Sequence, residues 1–348
     1  MRAILAAFVV AGVVAAGTAA CTRSDETRAG APPSHEVGGG PVGASRQTPA
    51  EADATLASLR RLPGTTDVYA MTYTGDYDDL AGVVTPPSAS PFGCSLFYAS
   101  GDAARPVYAR NFDWDPNPAL VLHTDPPDGH ASVSIVDISY LGLPAGVDPL
   151  TDAAARRKLL DSPLLPFDGM NAKGLVVGLA ADDSARAARD PGRPTVGSVR
   201  ILRLMLDRAA TVDEALALLD RFNLDFDGGP PLHYLIADAS GASAVVEFVD
   251  GRLVVTRGGP PWQALTNFRL AGSGDAVRKA DRRYATIGAT LDRQSGRLDW
   301  RQSLELLRSV AQPHTQWSVT YEPRGGAVHV VTRQNWAAVH DFTLAQVG

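Results

Sequence analysis

Strand-like blocks alternate with pairs of helices along most of this chain, and that order constrains the fold more than any single motif. Val68 to Tyr73 reads as a strand, preceded by helical spacing from Ala54 to Arg61. Ser95 to Ala99 and Pro106 to Phe112 flank a turn at Ser100-Gly101-Asp102, which predicts a hairpin. Ala119 to His123 and Ala131 to Leu141 read as further strands, the second partly apolar on both alternating faces, as in a strand covered on both sides. A helical stretch, Thr151 to Leu160, precedes a turn and a buried strand ending near Leu179. Helices are expected at Ser198–Ala209 and Val212–Arg221, the second opened by a capping box at Thr211-Val-Asp-Glu214. Strands return at Leu232–Ala237, Ser243–Phe248 and Leu253–Thr256. Helices follow at Ala276–Leu291 and Arg301–Val310, then strands at Gln316–Tyr321 and Ala327–Thr332. A βαβ parallel fold would alternate more strictly. The pattern predicts an α+β chain with two antiparallel sheets stacked between helical layers.

The N-terminus has a different character. Arg2 followed by an apolar run from Ile4 to Val14 and a small-residue stretch reads as a signal peptide over residues 1–20. The run is too short and too rich in Ala and Gly for a transmembrane helix. Thr18-Ala19-Ala20-Cys21 looks like a bacterial lipobox, with Thr18 in place of the usual leucine. Cys21 is then the expected lipidation site, and the outer face of the cytoplasmic membrane the expected location. An ordinary cleaved signal would make the protein secreted instead. Residues 21–50 are rich in Gly, Ala, Pro, Ser and charge, and read as a flexible tether.

The chain has 348 residues and a net charge of −6, which becomes −7 once Arg2 is removed with the signal. That mild acidity argues against nucleic acid as a partner. Oligomeric state is not legible. The seven histidines show no H-E-x-x-H spacing, and there is neither a G-x-S-x-G elbow nor a phosphate-binding Gly loop. Isolated histidines such as His123 and His233 read as core or surface residues.

Only two cysteines exist, Cys21 and Cys94. If Cys21 is acylated, Cys94 has no partner, and a lone thiol in an oxidising compartment is a liability unless it has a task. Cys94 follows Gly93, a residue free to adopt backbone conformations that others resist. The returning hairpin strand brings Arg110 and Asp113 back towards it, and a guanidinium lowers a thiol's pKa by stabilising the thiolate. The simplest alternatives are a buried structural thiol, and a surface ion pair between Arg110 and Asp113.

Gly93-Cys94-Ser95 followed by Arg110-Asn111-Phe112-Asp113-Trp114 resembles the N-terminal-nucleophile (Ntn) hydrolases of choloylglycine hydrolase type, the linear amide C–N hydrolases. Asp168-Gly169-Met170-Asn171-Ala172-Lys173-Gly174-Leu175, Leu265-Thr266-Asn267-Phe268 and Arg283-Tyr284 match weaker motifs in the same order. The resemblance implies a four-layer αββα sandwich over residues 94–348, with residues 51–93 as a leader. It implies that Cys94, freed at its amino side by cleavage of Gly93–Cys94, attacks an N-acyl amide with its own α-amine as base. Arg110 would stabilise the thiolate, Asp113 would hold the amine, and Asn171 would donate to the oxyanion. Asn267 would contact oxyanion or substrate, and Arg283, or its neighbour Arg282, would support the charges. No metal or organic cofactor is implied, and the partner is a small-molecule N-acyl amide. Acyl transfer to an amine acceptor shares the same thioester, and a ligand-binding lipoprotein without catalysis is the alternative from another class.

Overall fold

A computed structural model describes residues 43–81, 93–143, 146–226, 231–258 and 261–345. The signal, Cys21, most of the tether and the proline-rich stretch before Gly93 lie outside the described residues. The helices are α1 (Pro49–Ala57), α2 (Ala153–Lys158), α3 (Arg200–Arg208), α4 (Val212–Leu219), α5 (Asp275–Ala280), α6 (Arg282–Arg293) and α7 (Trp300–Ser309). The strands are β1 (Arg60–Arg61), β2 (Val68–Tyr73), β3 (Gly93–Ala99), β4 (Val107–Asp113), β5 (Ala119–Thr124), β6 (Ser132–Asp137), β7 (Asp168–Asn171), β8 (Val176–Ala181) and β9 (Thr195–Gly197), continuing with β10 (Asn223–Asp225), β11 (Leu232–Ala237), β12 (Ser243–Val249), β13 (Arg252–Gly258), β14 (Trp262–Leu265), β15 (Thr315–Tyr321), β16 (Ala327–Thr332) and β17 (His340–Thr343).

Two large sheets result. One has nine strands in the order β1-β2-β5-β6-β7-β8-β11-β12-β13, the other six in the order β14-β3-β4-β15-β16-β17. The sheets face each other where β3 meets β8. Helices α3 and α4 cover the outer side of the larger sheet, and α6 and α7 that of the smaller. This is the expected α+β sandwich of four layers.

The hairpin β3–β4 shows how the sequence makes such a layer. Every residue of β4 is buried, and every residue of β3 except half-buried Gly93. Successive side chains of a strand point to opposite faces. Cys94, Leu96 and Tyr98 enter the core between the sheets with Tyr108 and Phe112. Phe97, Ala99 and Ala109 join Leu304 and Leu307 in a second core under the outer helices. The sheets approach closely at Gly178 of β8, where a Cβ would lie 2.6 Å from the Tyr108 hydroxyl and 2.8 Å from Leu96 Cδ2. Only glycine fits that approach.

The leader is part of the sandwich. Its strand β2 pairs with β5, in parallel, so the larger sheet is not wholly antiparallel as expected. Tyr77 donates its hydroxyl hydrogen to the Asp207 carboxylate at 2.9 Å. Buried Arg203 ties α3 to the larger sheet through Ser132 and Ser134, and to the Pro163 carbonyl.

Several expected boundaries move for identifiable reasons. The first helix starts earlier, at Pro49, because Thr48 and Glu51 form a capping box. The strand expected to run to Leu141 stops at Asp137, whose side chain accepts from Ser139 N and opens a 3₁₀ turn, Ile138–Leu141. The helix expected over Ala276–Leu291 is two helices. Asp281 breaks it with extended backbone (φ −75°, ψ 105°) and caps α6 by accepting from Tyr284 N.

Candidate active site

Cys94 is the second residue of β3 and is fully buried. Its register partner is Phe112, and Gly93 lies opposite Asp113, so the hairpin alone brings Cys94 near the end of β4. Arg110 Nη2 lies 3.5 Å from Cys94 Sγ. Burial raises the thiol's pKa, and the Arg110 guanidinium offsets only part of that rise.

Arg110 is itself held by a residue that sequence reasoning quoted without assigning a role. Its Nη1 donates to Asp168 Oδ2 at 2.7 Å and to the Phe167 carbonyl. Asp168 also accepts from Trp317 Nε1 at 3.0 Å and from the Tyr321 hydroxyl. Both members of this ion pair are fully buried. Such a pair holds geometry more than it adds stability, because desolvation offsets much of the attraction. The available signal was an acidic residue directly after the apolar run Leu164–Phe167.

Asp113 ends β4. Its Oδ1 accepts from Thr315 Oγ1 at 2.5 Å. Its Oδ2 is buried without a hydrogen bond, 3.7 Å from Arg283 Nη1. Burial lifts its carboxyl to about 6, against the opposing pull of Thr315 and Arg283. Gly93 does not use the freedom expected of it, since its φ lies outside the left-handed region. What it supplies is room: a Cβ there would stand 3.3 Å from Asp113 Cβ and 3.4 Å from His314 Nε2.

Asn267 and Arg283 close the site from the other side. Asn267 Oδ1 accepts from the Cys94 backbone nitrogen at 2.5 Å, and from both Arg283 Nη atoms at 3.1 Å. Its Nδ2 donates to the Ala181 carbonyl at 3.0 Å. Arg283 Nη1 also donates to the Cys94 carbonyl at 2.6 Å. Of the two adjacent arginines, Arg283 is the one at the site, while Arg282 is exposed. The break at Asp281 makes this choice, because it sets Arg283 in the first turn of α6 and pairs with it at 3.6 Å.

Asn171 does something different from the expected oxyanion contact. Its Nδ2 donates to the carbonyls of Leu206 and Ala209, and its Oδ1 accepts from Lys173 N and Leu175 N. Both amide hydrogens are committed, so the side chain holds the β7–β8 turn against the end of α3 and has no donor left for an oxyanion. The structure thus brings together Cys94, Arg110, Asp113, Asn267 and Arg283, with Asp168 behind them, and leaves Asn171 out.

Comparison with known proteins places this geometry. Residues 155–267, which include Asn171 and Asn267, match the family described as linear amide C-N hydrolases, choloylglycine hydrolase family. A penicillin V acylase from Pectobacterium atrosepticum is 28% identical over 173 residues, covering 47% of this chain and 45% of that one. The chain thus spans about half the length of that curated relative. Two solved structures share the fold. Penicillin V acylase from Agrobacterium tumefaciens superposes with a TM-score of 0.52 at 18% identity, over 73% of this chain and 87% of that one. A mutant of the conjugated bile acid hydrolase from Clostridium perfringens gives 0.52 at 15% identity, over 72% and 92%. The α+β architecture of two facing sheets between helices is the fold of these two structures. The similarity to the linear amide C–N hydrolases of the choloylglycine hydrolase family lies in residues 155–267.

Proposed function

We propose that this protein is a cysteine amidohydrolase that cleaves the linear carbon–nitrogen bond of an N-acyl amide, with Cys94 as nucleophile. One observation carries the reading. The Cys94 nitrogen rests on Asn267 Oδ1, while its thiol rests against Arg110. Both atoms that an N-terminal nucleophile must orient are already held.

The site needs one preparatory step. Cys94 Sγ attacks the Gly93 carbonyl, the peptide nitrogen leaves as the new α-amine, and water hydrolyses the resulting thioester to a Gly93 carboxylate. The freed neutral amine then lies beside Asn267 Oδ1, with the Asp113 carboxylate opposite Gly93 to stabilise the ammonium once the amine has taken a proton. In turnover the amine takes the thiol proton and Sγ attacks the substrate carbonyl. The proton passes to the departing amine, and water hydrolyses the acyl thioester. Arg110 stabilises the thiolate. One Asn267 amide hydrogen is committed to Ala181, leaving the second for the developing oxyanion.

N-terminal sequencing of purified, active protein tests this reading. A fragment beginning Cys-Ser-Leu-Phe-Tyr is expected, and a fully active uncut chain would sink the mechanism. Cys94→Ala should abolish both cutting and hydrolysis across a panel of bile conjugates, penicillin V, acyl-homoserine lactones and fatty-acid amides. We also propose that Cys21 is lipidated and holds the protein at the membrane. The motif at 18–21 supports this, and Cys21→Ala should release the protein from membrane fractions.

A further inference from the structure

Behind the site lies a second cluster that the mechanism does not use. Asp182 follows β8, His233 lies in β11 and Glu247 in β12, and one ligand-capable atom from each falls within 4.8 Å of the others. All three residues are buried, His233 and Glu247 completely. No arginine or lysine among the described residues forms an ion pair with either carboxylate. The nearest partner is His233 Nδ1, 3.6 Å from Glu247 Oε1.

The donors around this cluster reach only some of its acceptor atoms. Glu247 accepts from Leu270 N at 2.6 Å and Ala271 N at 2.7 Å. Asp182 Oδ1 accepts from Ser184 N and Oγ. His233 Nε2 lies 2.8 Å from the Thr266 carbonyl, which can only accept, so Nε2 carries the proton. Two buried atoms remain without a partner, His233 Nδ1 and Asp182 Oδ2. The imidazole lone pair therefore faces two carboxylates with no donor between them. Three acceptors converging in a buried space are unfavourable unless a cation joins them. A proton on Nδ1 would give one carboxylate a donor but would still leave one net negative charge among the three buried groups. A divalent cation serves all three and neutralises both negative charges.

We propose that Asp182, His233 and Glu247 bind a zinc-class divalent cation. Imidazole nitrogen and carboxylate oxygen are both zinc donors. A ligating histidine typically donates its other N–H to a carbonyl, as His233 does to Thr266. Around zinc in tetrahedral geometry, ligand atoms stand about 3.4 Å apart. Nδ1 and Oε1, 3.6 Å apart, are close to that already, and Asp182 needs to close by about 1.4 Å at most from the 4.8 Å bound. The cation would brace the site from behind: Thr266 precedes Asn267, and Asp182 follows Ala181, whose carbonyl holds the Asn267 amide. The proposal does not depend on the role of Cys94.

Zinc uptake by the full chain tests it. The protein is stripped with EDTA, dialysed and titrated with Zn²⁺ by calorimetry, with metal content checked by elemental mass spectrometry. One equivalent per chain is expected, with a rise in Tm. Asp182→Asn and His233→Gln should each weaken binding by about 10-fold or more. Uptake well below one equivalent by the wild type, or undiminished uptake by both variants, would overturn the proposal. Should the variants fail to fold, Co²⁺ added to the stripped wild type decides. Intense visible d–d bands of a four- or five-coordinate ion support the site, and their absence refutes it.

Discussion

The backbone nitrogen of Cys94 donates to Oδ1 of Asn267 at 2.5 Å across 173 positions of sequence. The bond joins the end of the small sheet's central hairpin to the loop that follows its edge strand β14. Arg283 donates to the same oxygen, so the orientation of the Asn267 amide is fixed from two sides.

Replacing Asn267 with Ala should therefore remove the acceptor that holds the Cys94 nitrogen together with the proposed oxyanion donor. A loss of about 10²–10³ in kcat is expected, with far-UV circular dichroism unchanged. Intact-mass analysis of the same variant should show slower cutting at Gly93–Cys94.

Asp113 makes stability depend on pH in an unusual direction. Its folded carboxyl titrates near 6, above the ordinary aspartate value of 3.8. The folded state thus holds this proton more tightly than the unfolded chain. The contribution is fully present below pH 3.8 and is lost as pH rises through 6. At neutral pH ionised Asp113 costs on the order of 3 kcal/mol. Urea unfolding of Asp113→Asn should show a gain over wild type at pH 7.5 that shrinks towards pH 4.5, while hydrolysis is lost.

Asp168 acts on Cys94 through Arg110. Asp168→Asn should loosen the guanidinium and raise the thiol's pKa, shifting the pH profile of iodoacetamide labelling upwards. Arg110→Ala should be harsher, costing about 3–5 kcal/mol, because it leaves the Asp168 carboxylate buried and unpaired.

Gly93→Ala tests the crowding before the nucleophile. The added methyl meets Asp113 Cβ at 3.3 Å and His314 Nε2 at 3.4 Å. A stability loss of about 1 kcal/mol is expected, read from the urea midpoint. Formation of the Cys-Ser-Leu-Phe-Tyr fragment should also slow.

A cut at Gly93–Cys94 should not release the leader. Strand β2 is hydrogen-bonded to β5, Tyr77 to Asp207, and Arg333 pairs with Asp67. The two fragments should co-elute on size exclusion and separate only under denaturing conditions. The membrane anchor proposed at Cys21 would then still hold the cut protein.

Much of this was legible along the chain, and the exceptions share a cause. The β3–β4 hairpin follows from local alternation and a turn at 100–102, and it sets Cys94 opposite Phe112 without help from the rest of the fold. The edge strand β14 was missed, because Trp262–Leu265 is four residues long and gains its identity only by pairing with β3. The break at Asp281 was missed because the helical period continues through it, although an aspartate three residues before Tyr284 is an N-cap pattern. Asn171 was misassigned because an asparagine in a turn looks alike whether it donates to a substrate or to the carbonyls of Leu206 and Ala209.

By itself the sequence determined the α+β order of elements, the hairpin that brings Arg110 and Asp113 back towards Cys94, and the family these residues resemble. Those are matters of short-range periodicity and motif spacing. Only the tertiary structure decided that Asp168 holds Arg110, that Arg283 rather than Arg282 reaches Asn267, and that Asp182, His233 and Glu247 meet. Each of these depends on which strands become neighbours and on which buried polar atoms find partners. Those outcomes are set by the packing of two sheets against each other, and one-dimensional spacing does not encode them.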